Sequence, residues 1–156
     1  MNLVSIGIIH TPFERADDMP IQSLSSQSQG QIILDPELTS GLKDLEEFSH
    51  IYLLYFLHLS KDYDLEVIPF LDTIAHAVFA TRAPRRPNPI GLSIVKLISI
   101  DQNIIHFKGA DMHNETPLLD IKPYTTKFDQ VEDVTNGWVK ANPEQIRNKR
   151  SDKRFT

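Results

Sequence analysis

The chain has 156 residues, 40% of them apolar, which suits one compact domain with a hydrophobic core and is short for two. It contains no cysteine, so disulfides and thiolate-bound zinc are excluded. A formal net charge of −5 disfavours indiscriminate binding to nucleic acid or anionic membrane, and an anionic partner therefore requires a local basic patch.

In chain order, Leu3–His10 (LVSIGIIH) and Gly30–Leu34 (GQIIL) are β-branched runs bounded by turn formers, which predicts two strands. The opening MNLVSIGIIHTPFER lacks a basic leader and a small-residue cleavage site, and no stretch approaches 18 uninterrupted apolar residues; a soluble cytoplasmic protein without a membrane partner is expected. Ser23–Gln31 reads as a loop of low complexity. Asp35 and Pro36 suit an N-cap and first helical position, with Gly41 limiting that helix to a short one. His50–His58 (HIYLLYFLH) is almost continuously apolar and predicts a strand buried on both faces. Leu92–Ile100 and Ile104–Met112 flank the polar Asp101–Asn103, predicting a hairpin around a three-residue turn. Asn142, Pro143 and Glu144 open a short C-terminal helix that leads into five basic residues between Arg147 and Arg154. That tail is either a solvated segment or one that docks on the protein or touches RNA. The whole predicts a mainly β fold with short connecting helices.

The six glycines are Gly7, Gly30, Gly41, Gly91, Gly109 and Gly137, spaced too widely for a Gly-x-Gly-x-x-Gly fingerprint or a P-loop. Gly91-Leu92-Ser93 lacks the second flanking glycine of a nucleophile elbow. No His-x-His or His-x-x-x-His spacing occurs, and no metal site is expected. His50 and His58, if on one strand, would stand about 26 Å apart at about 3.3 Å per residue.

Two constellations carry chemistry. Between Asp72 and Asp101 there is no acid, while Arg82, Arg85, Arg86 and Lys96 give a local charge of +4. Pro84, Pro87 and Pro89 fix φ near −65° and bias their predecessors toward extended backbone, so the arginines of Thr81–Ser93 are held stiffly, ready to meet an anion. The alternative is a structural loop whose arginines pair with surface carboxylates. The second is Asp111–Tyr124 (DMHNETPLLDIKPY), in which Asp120, Lys122 and Tyr124 share one face if extended. They could fix a polar ligand or form a solvated ion pair.

FATRAPRRPNPIGLS, with GLKDLEEFSHIYLLYFLH upstream and TPLLDIKPY downstream, resembles the TsaA-like, or TrmO, family of S-adenosylmethionine-dependent tRNA methyltransferases over about residues 6–124. The resemblance implies a small antiparallel β-barrel (residues 3–124) that binds S-adenosylmethionine without a Rossmann fold, with a C-terminal extension (125–156), partly helical or disordered, packing on the barrel or on a partner in a homodimer. It implies methylation of N6 of the threonylcarbamoyl-modified adenosine beside the tRNA anticodon. A non-catalytic S-adenosylmethionine- or RNA-binding module of the same fold is the alternative. Cofactor contacts are implied at Pro20, Ile21, Gln22, His58, Leu59, Arg82, Leu92, His113, Asn114, Glu115 and Thr116, with Arg82 meeting the carboxylate. Arg85, Arg86 and Lys96 are then left for tRNA phosphates and Asn88 for the target base. Asp120, Tyr124 and His50 are candidates for a catalytic base. Where the family reads Asp-Gly-Thr-Pro, this chain has Asn114-Glu115-Thr116-Pro117. Glycine's freedom to take positive φ is lost, and Asn114 is expected to serve as the left-handed residue while Glu115 points to solvent; the alternative is that Glu115 intrudes on the site, where its carboxylate would repel that of the cofactor and attract the sulfonium.

Overall fold

Short β-branched runs separated by turn formers pair most readily with their neighbours, and here they close on themselves. The computed structural model describes residues 2–155. Six strands form a closed barrel: β1 (Gly7–His10), β2 (Gln29–Leu34), β3 (His50–Phe56), β6 (Ile90–Asp101), β7 (Ile104–Lys108) and β8 (Thr116–Pro123). The order is β1-β2-β7-β6-β3-β8, with β8 returning to β1, and each pairing is antiparallel. Closure leaves no unpaired edge, and register shifts at Leu54/Tyr55 and Leu97/Ser99 supply the local bends it needs. A two-strand ladder, β4 (Glu66–Val67) with β5 (His76–Ala77), lies in the long connection from β3 to β6. The connections otherwise carry short 3-10 segments, and α1 (Thr126–Asp129) and α2 (Pro143–Asn148) follow the last strand. The mainly β barrel with short helices is the fold expected from the sequence.

The core is the barrel interior. Ile9, Ile32, Ile51, Leu53, Ile105, Phe107 and Leu118 are inaccessible to solvent, each contributing about 1.5–3 kcal/mol of burial. β3 corrects one expectation: Ile51, Leu53 and Tyr55 are buried, whereas Tyr52 and Leu54 are half-buried and Phe56 is exposed. A barrel wall has one inner face, and loops cover the outer face only partly. β3 also ends at Phe56, which puts His58 in the turn beyond it. The first strand starts at Gly7, and Leu3 and Val4 ahead of it are exposed. Asp101 pairs with Ile104, so the hairpin turn is Gln102-Asn103, two residues rather than three, with Gln102 at φ 55°. The 3-10 helix that follows Asp35 runs through Gly41 to Leu42.

The extension packs back on the barrel domain. α2 starts as predicted: Asn142 Oδ1 accepts from Gln145 N, Gln145 Oε1 accepts from Asn142 N, and Pro143 occupies the first turn. Beyond it, Arg150 bridges Pro20.

Candidate functional site

At one end of the barrel the start of β6, the end of β3 and the start of β8 meet the segments 19–22, 57–60, 81–88 and 111–113 around a cavity of about 510 Å³. This volume lies within the range of small-molecule sites. Tyr55, on the inner face of β3, is opposite Gly91 of β6. A Cβ at Gly91 would collide with the Tyr55 ring, so glycine there lets the phenol lie across β6. The Tyr55 hydroxyl is 2.9 Å from Ser93 Oγ, and Ser93 donates to Asp111 Oδ1 at 2.7 Å. With the Ser93 proton directed at Asp111, Tyr55 donates to Ser93, and a hydrogen-bonded chain ends on a carboxylate in the cavity wall. Burial pushes the Asp111 carboxyl up to about 7, against the opposing pull of the Ser93 hydroxyl, the Ser23 backbone and the Arg82 charge. Burial, then the neighbouring Asp111, raises the Tyr55 phenol and keeps it a donor.

Arg82 enters the cavity from the proline loop and donates from Nη1 to Gln22 Oε1 at 3.1 Å. His58 and His113 meet edge to face with ring centroids 5.7 Å apart. Burial, with His113 second, lowers the His58 pKa. The His113 ring nitrogens face Asn114 O at 2.8 Å and Glu14 O at 2.7 Å, and Thr116 Oγ1 donates to His113 O.

The structure gathers Pro20, Ile21, Gln22, His58, Leu59, Arg82, Leu92, His113 and Thr116 around this one cavity. Asn114 and Glu115 are outside its lining. Asn114 instead ties the turn to the first loop, accepting from Thr11 N at 3.1 Å and donating to Glu14 Oε1 at 2.8 Å. The left-handed residue is Glu115, at φ 60°, and not Asn114. Glu115 is exposed, as expected.

Arg86 and Asn88 also line the cavity, but Arg86 Nη1 donates to Thr81 O at 3.1 Å and Ala83 O at 3.3 Å and so braces its own loop. Arg85 Nε lies 2.8 Å from Asp64 Oδ2, an ion pair by distance rather than a directed hydrogen bond. That is the carboxylate pairing named as the alternative, and neither arginine is unengaged. The loop is stiff for more reasons than proline: Ser60 Oγ and Arg86 N donate to Pro84 O, Asp64 N to Arg85 O, and Leu57 N to Pro89 O. Lys96 is remote, paired in register with His50 and Lys108 toward the other end of the barrel.

The three candidates for a base also lie away from the cavity lining. His50 starts β3, five residues or about 17 Å along the strand from Tyr55. Tyr124 stands edge-on to Tyr52 at 5.6 Å and to His50 at 6.4 Å. Asp120 pairs with Lys122 Nζ at 2.7 Å, both well exposed, which is the solvated ion pair of the sequence reading. Sequence reasoning passed over Asp111, Ser93 and Tyr55 as site residues, and Ser151, Asp152 and Phe155 of the tail, which complete the lining. Asp111 lay within a stretch singled out for its chemistry; the tail residues carried no local signal. Among the described residues no three histidine, aspartate or glutamate side chains converge to hold a metal, and no helix is long and apolar enough to cross a membrane.

Comparison with known proteins gives a consistent pattern. Residues 8–130 match the tRNA-methyltransferase O N-terminal domain. A protein of Pyrococcus abyssi, named a probable S-adenosyl-L-methionine-binding protein, is 47% identical over 151 residues, covering 96% of this chain and 82% of its own length. The human tRNA (adenine(37)-N6)-methyltransferase is 34% identical over 83% of this chain, which spans 31% of the human protein. The crystal structure of TrmO from Pseudomonas aeruginosa superposes with a TM-score of 0.76 at 34% identity, over 92% of this chain and 63% of that one.

Proposed function

The chain belongs to the tRNA-methyltransferase O N-terminal domain family, and from that membership and the cavity at the barrel end we propose an S-adenosylmethionine-dependent tRNA methyltransferase acting on N6 of threonylcarbamoyladenosine beside the anticodon. The observation that carries the reading is that the residues a cofactor site of this family implies, all but Asn114 and Glu115, meet around one cavity of about 510 Å³. The lining suits the group. Pro20, Ile21, Leu57 and Met112 offer apolar surface to a nucleoside, and the Arg82 guanidinium offers a charge-matched partner for an amino-acid carboxylate.

When bound, the cofactor supplies an electrophilic methyl group on a sulfonium. The chain's own contribution is orientation, exclusion of water and removal of one proton. Methylation at N6 would leave one proton to be lost from that nitrogen. Asp111 takes it. Its carboxyl, held up to about 7, is partly ionised at neutral pH and a stronger base than a free aspartate. Ser93, backed by Tyr55, fixes the carboxylate's orientation through Oδ1. His50, Asp120 and Tyr124 are assigned no step.

The test is transfer of a labelled methyl group from S-adenosylmethionine to tRNA prepared with and without the threonylcarbamoyl group. Incorporation into the modified tRNA alone is expected. Asp111→Asn should lower kcat by about 100-fold, at the low end of general-base effects, with KM little changed and the ascending limb near pH 7 abolished. Cofactor binding without incorporation into either tRNA would replace this reading with the non-catalytic module.

A further inference from the structure

The family match ends at residue 130, but the cavity wall continues past it: Ser151, Asp152 and Phe155 line the same cavity as Arg82 and Asp111. They do so because residues 150–155 are fixed at both rims. On the first rim Arg150 bridges Pro20, Ser151 N donates to Met19 O at 2.9 Å, and Asp18 N donates to Ser151 O at 2.9 Å. The Ser151 hydroxyl accepts from Met19 N at 2.8 Å and donates to Ala16 O at 2.9 Å. On the second rim Arg154 Nη1 donates to Pro69 O at 2.8 Å and Ile68 O at 3.3 Å, and its guanidinium lies 5.2 Å from the Phe70 ring centre. Phe155 meets Phe70 edge to face at 5.2 Å. Asp152 braces the span by accepting Arg154 Nε and Nη2, which holds its carboxyl below the usual carboxylate range.

The anchoring begins earlier in the extension. Trp138 stacks on His76 at 4.5 Å and donates from Nε1 to Ala80 O at 2.8 Å, so α2 is held before and after. The first rim is itself informative. Residues 16–19, which take the Ser151 hydrogen bonds, run directly into Pro20, Ile21 and Gln22 of the cavity lining. A segment that pairs with one wall, crosses to another and turns an aromatic ring inward closes a space that the barrel alone leaves open.

We propose that Arg150–Phe155 is a wall of the S-adenosylmethionine site, strapped across it from residues 16–19 to residues 68–70, with Phe155 in contact with the bound cofactor. The inference rests on the cofactor reading above. The ordering of this basic segment is then part of cofactor binding, and its arginines serve the cavity as well as the surface. Enclosure removes apolar ligand surface from water, and loss of one aromatic wall from such a site is worth about tenfold in affinity, 1.4 kcal/mol.

Calorimetric titration of the full chain with S-adenosylmethionine and with S-adenosylhomocysteine tests it, with thermal melting to check that each variant is folded. Phe155→Ala and Arg154→Ala should each weaken binding tenfold or more, and Phe155→Tyr should stay within threefold of the unaltered chain. Saturating S-adenosylhomocysteine should also slow tryptic cleavage after Arg150 and Arg154, since a seated ligand holds the strap down. Binding within twofold for both alanine variants, or cleavage indifferent to ligand, would overturn the strap and leave the cofactor reading standing. No binding to the unaltered chain would overturn both.

Discussion

A carboxyl with protein on most sides binds its proton more tightly than one in water, and at Asp111 this has a thermodynamic consequence. Its folded-state value of about 7 lies above the unfolded value near 4, so between those limits the folded chain holds a proton that the unfolded chain has released. The stability linked to that proton is fully present below about pH 4 and is lost as pH rises through about 7. At pH 8 the ionised carboxylate costs up to about 4 kcal/mol relative to a group indifferent to burial. Asp111→Asn removes this dependence. In melting experiments without ligand, Tm of the variant minus that of the native chain should rise by several degrees between pH 4.5 and pH 8; a difference that stays flat would remove Asp111 from the account. The residue was hard to single out beforehand because alternation along LDIKPY shows which side chains share a face, not which end of a barrel that face meets. That pattern drew attention to Asp120 and Tyr124. The carboxylate that the barrel itself places in the cavity is Asp111, which precedes β8 and is held by Ser93 from β6.

Loops and turns set the site, and they show where local sequence is informative. The proline loop was legible as a stiff, cationic element because proline restricts φ whatever the surroundings. Which arginine faces the cavity was not, since Asp64, Thr81 and Ala83 decide how Arg85 and Arg86 are held. The turn into β8 is a sharper case. Glu115 occupies a left-handed conformation at φ 60°, costing about 1–2 kcal/mol for a residue with a Cβ. Glycine would remove that cost while giving back about 0.5–1 kcal/mol of backbone entropy. Glu115→Gly should therefore stabilise the chain by about 0.5–1 kcal/mol, a rise in Tm of about 1–4 °C for a domain of this size. Because Glu115 is exposed and outside the cavity lining, affinity for S-adenosylmethionine should stay within threefold. Destabilisation would contradict the strain at Glu115, and a hundredfold gain in affinity would show that its side chain reaches the ligand.

Across the whole molecule, strand content and antiparallel pairing could be read from composition and spacing, since the apolar runs are too short for a helical bundle and their spacing suits antiparallel neighbours. Closure into a barrel with a cavity at one end depends on contacts between distant parts of the chain, such as Thr11 with Asn114 and Met19 with Ser151. No local pattern carries those. They make the two barrel ends chemically different: a cavity with Arg82 and Asp111 at one, and His50 paired with Lys96 toward the other. Binding of the cofactor at the first end is tested by calorimetric titration with S-adenosylmethionine of the native chain, Arg82→Ala and Lys96→Ala. Saturable binding to the native chain, weakened at least tenfold in Arg82→Ala and within twofold of native in Lys96→Ala, is the predicted result; equal loss in both variants, or no loss in Arg82→Ala, would contradict it.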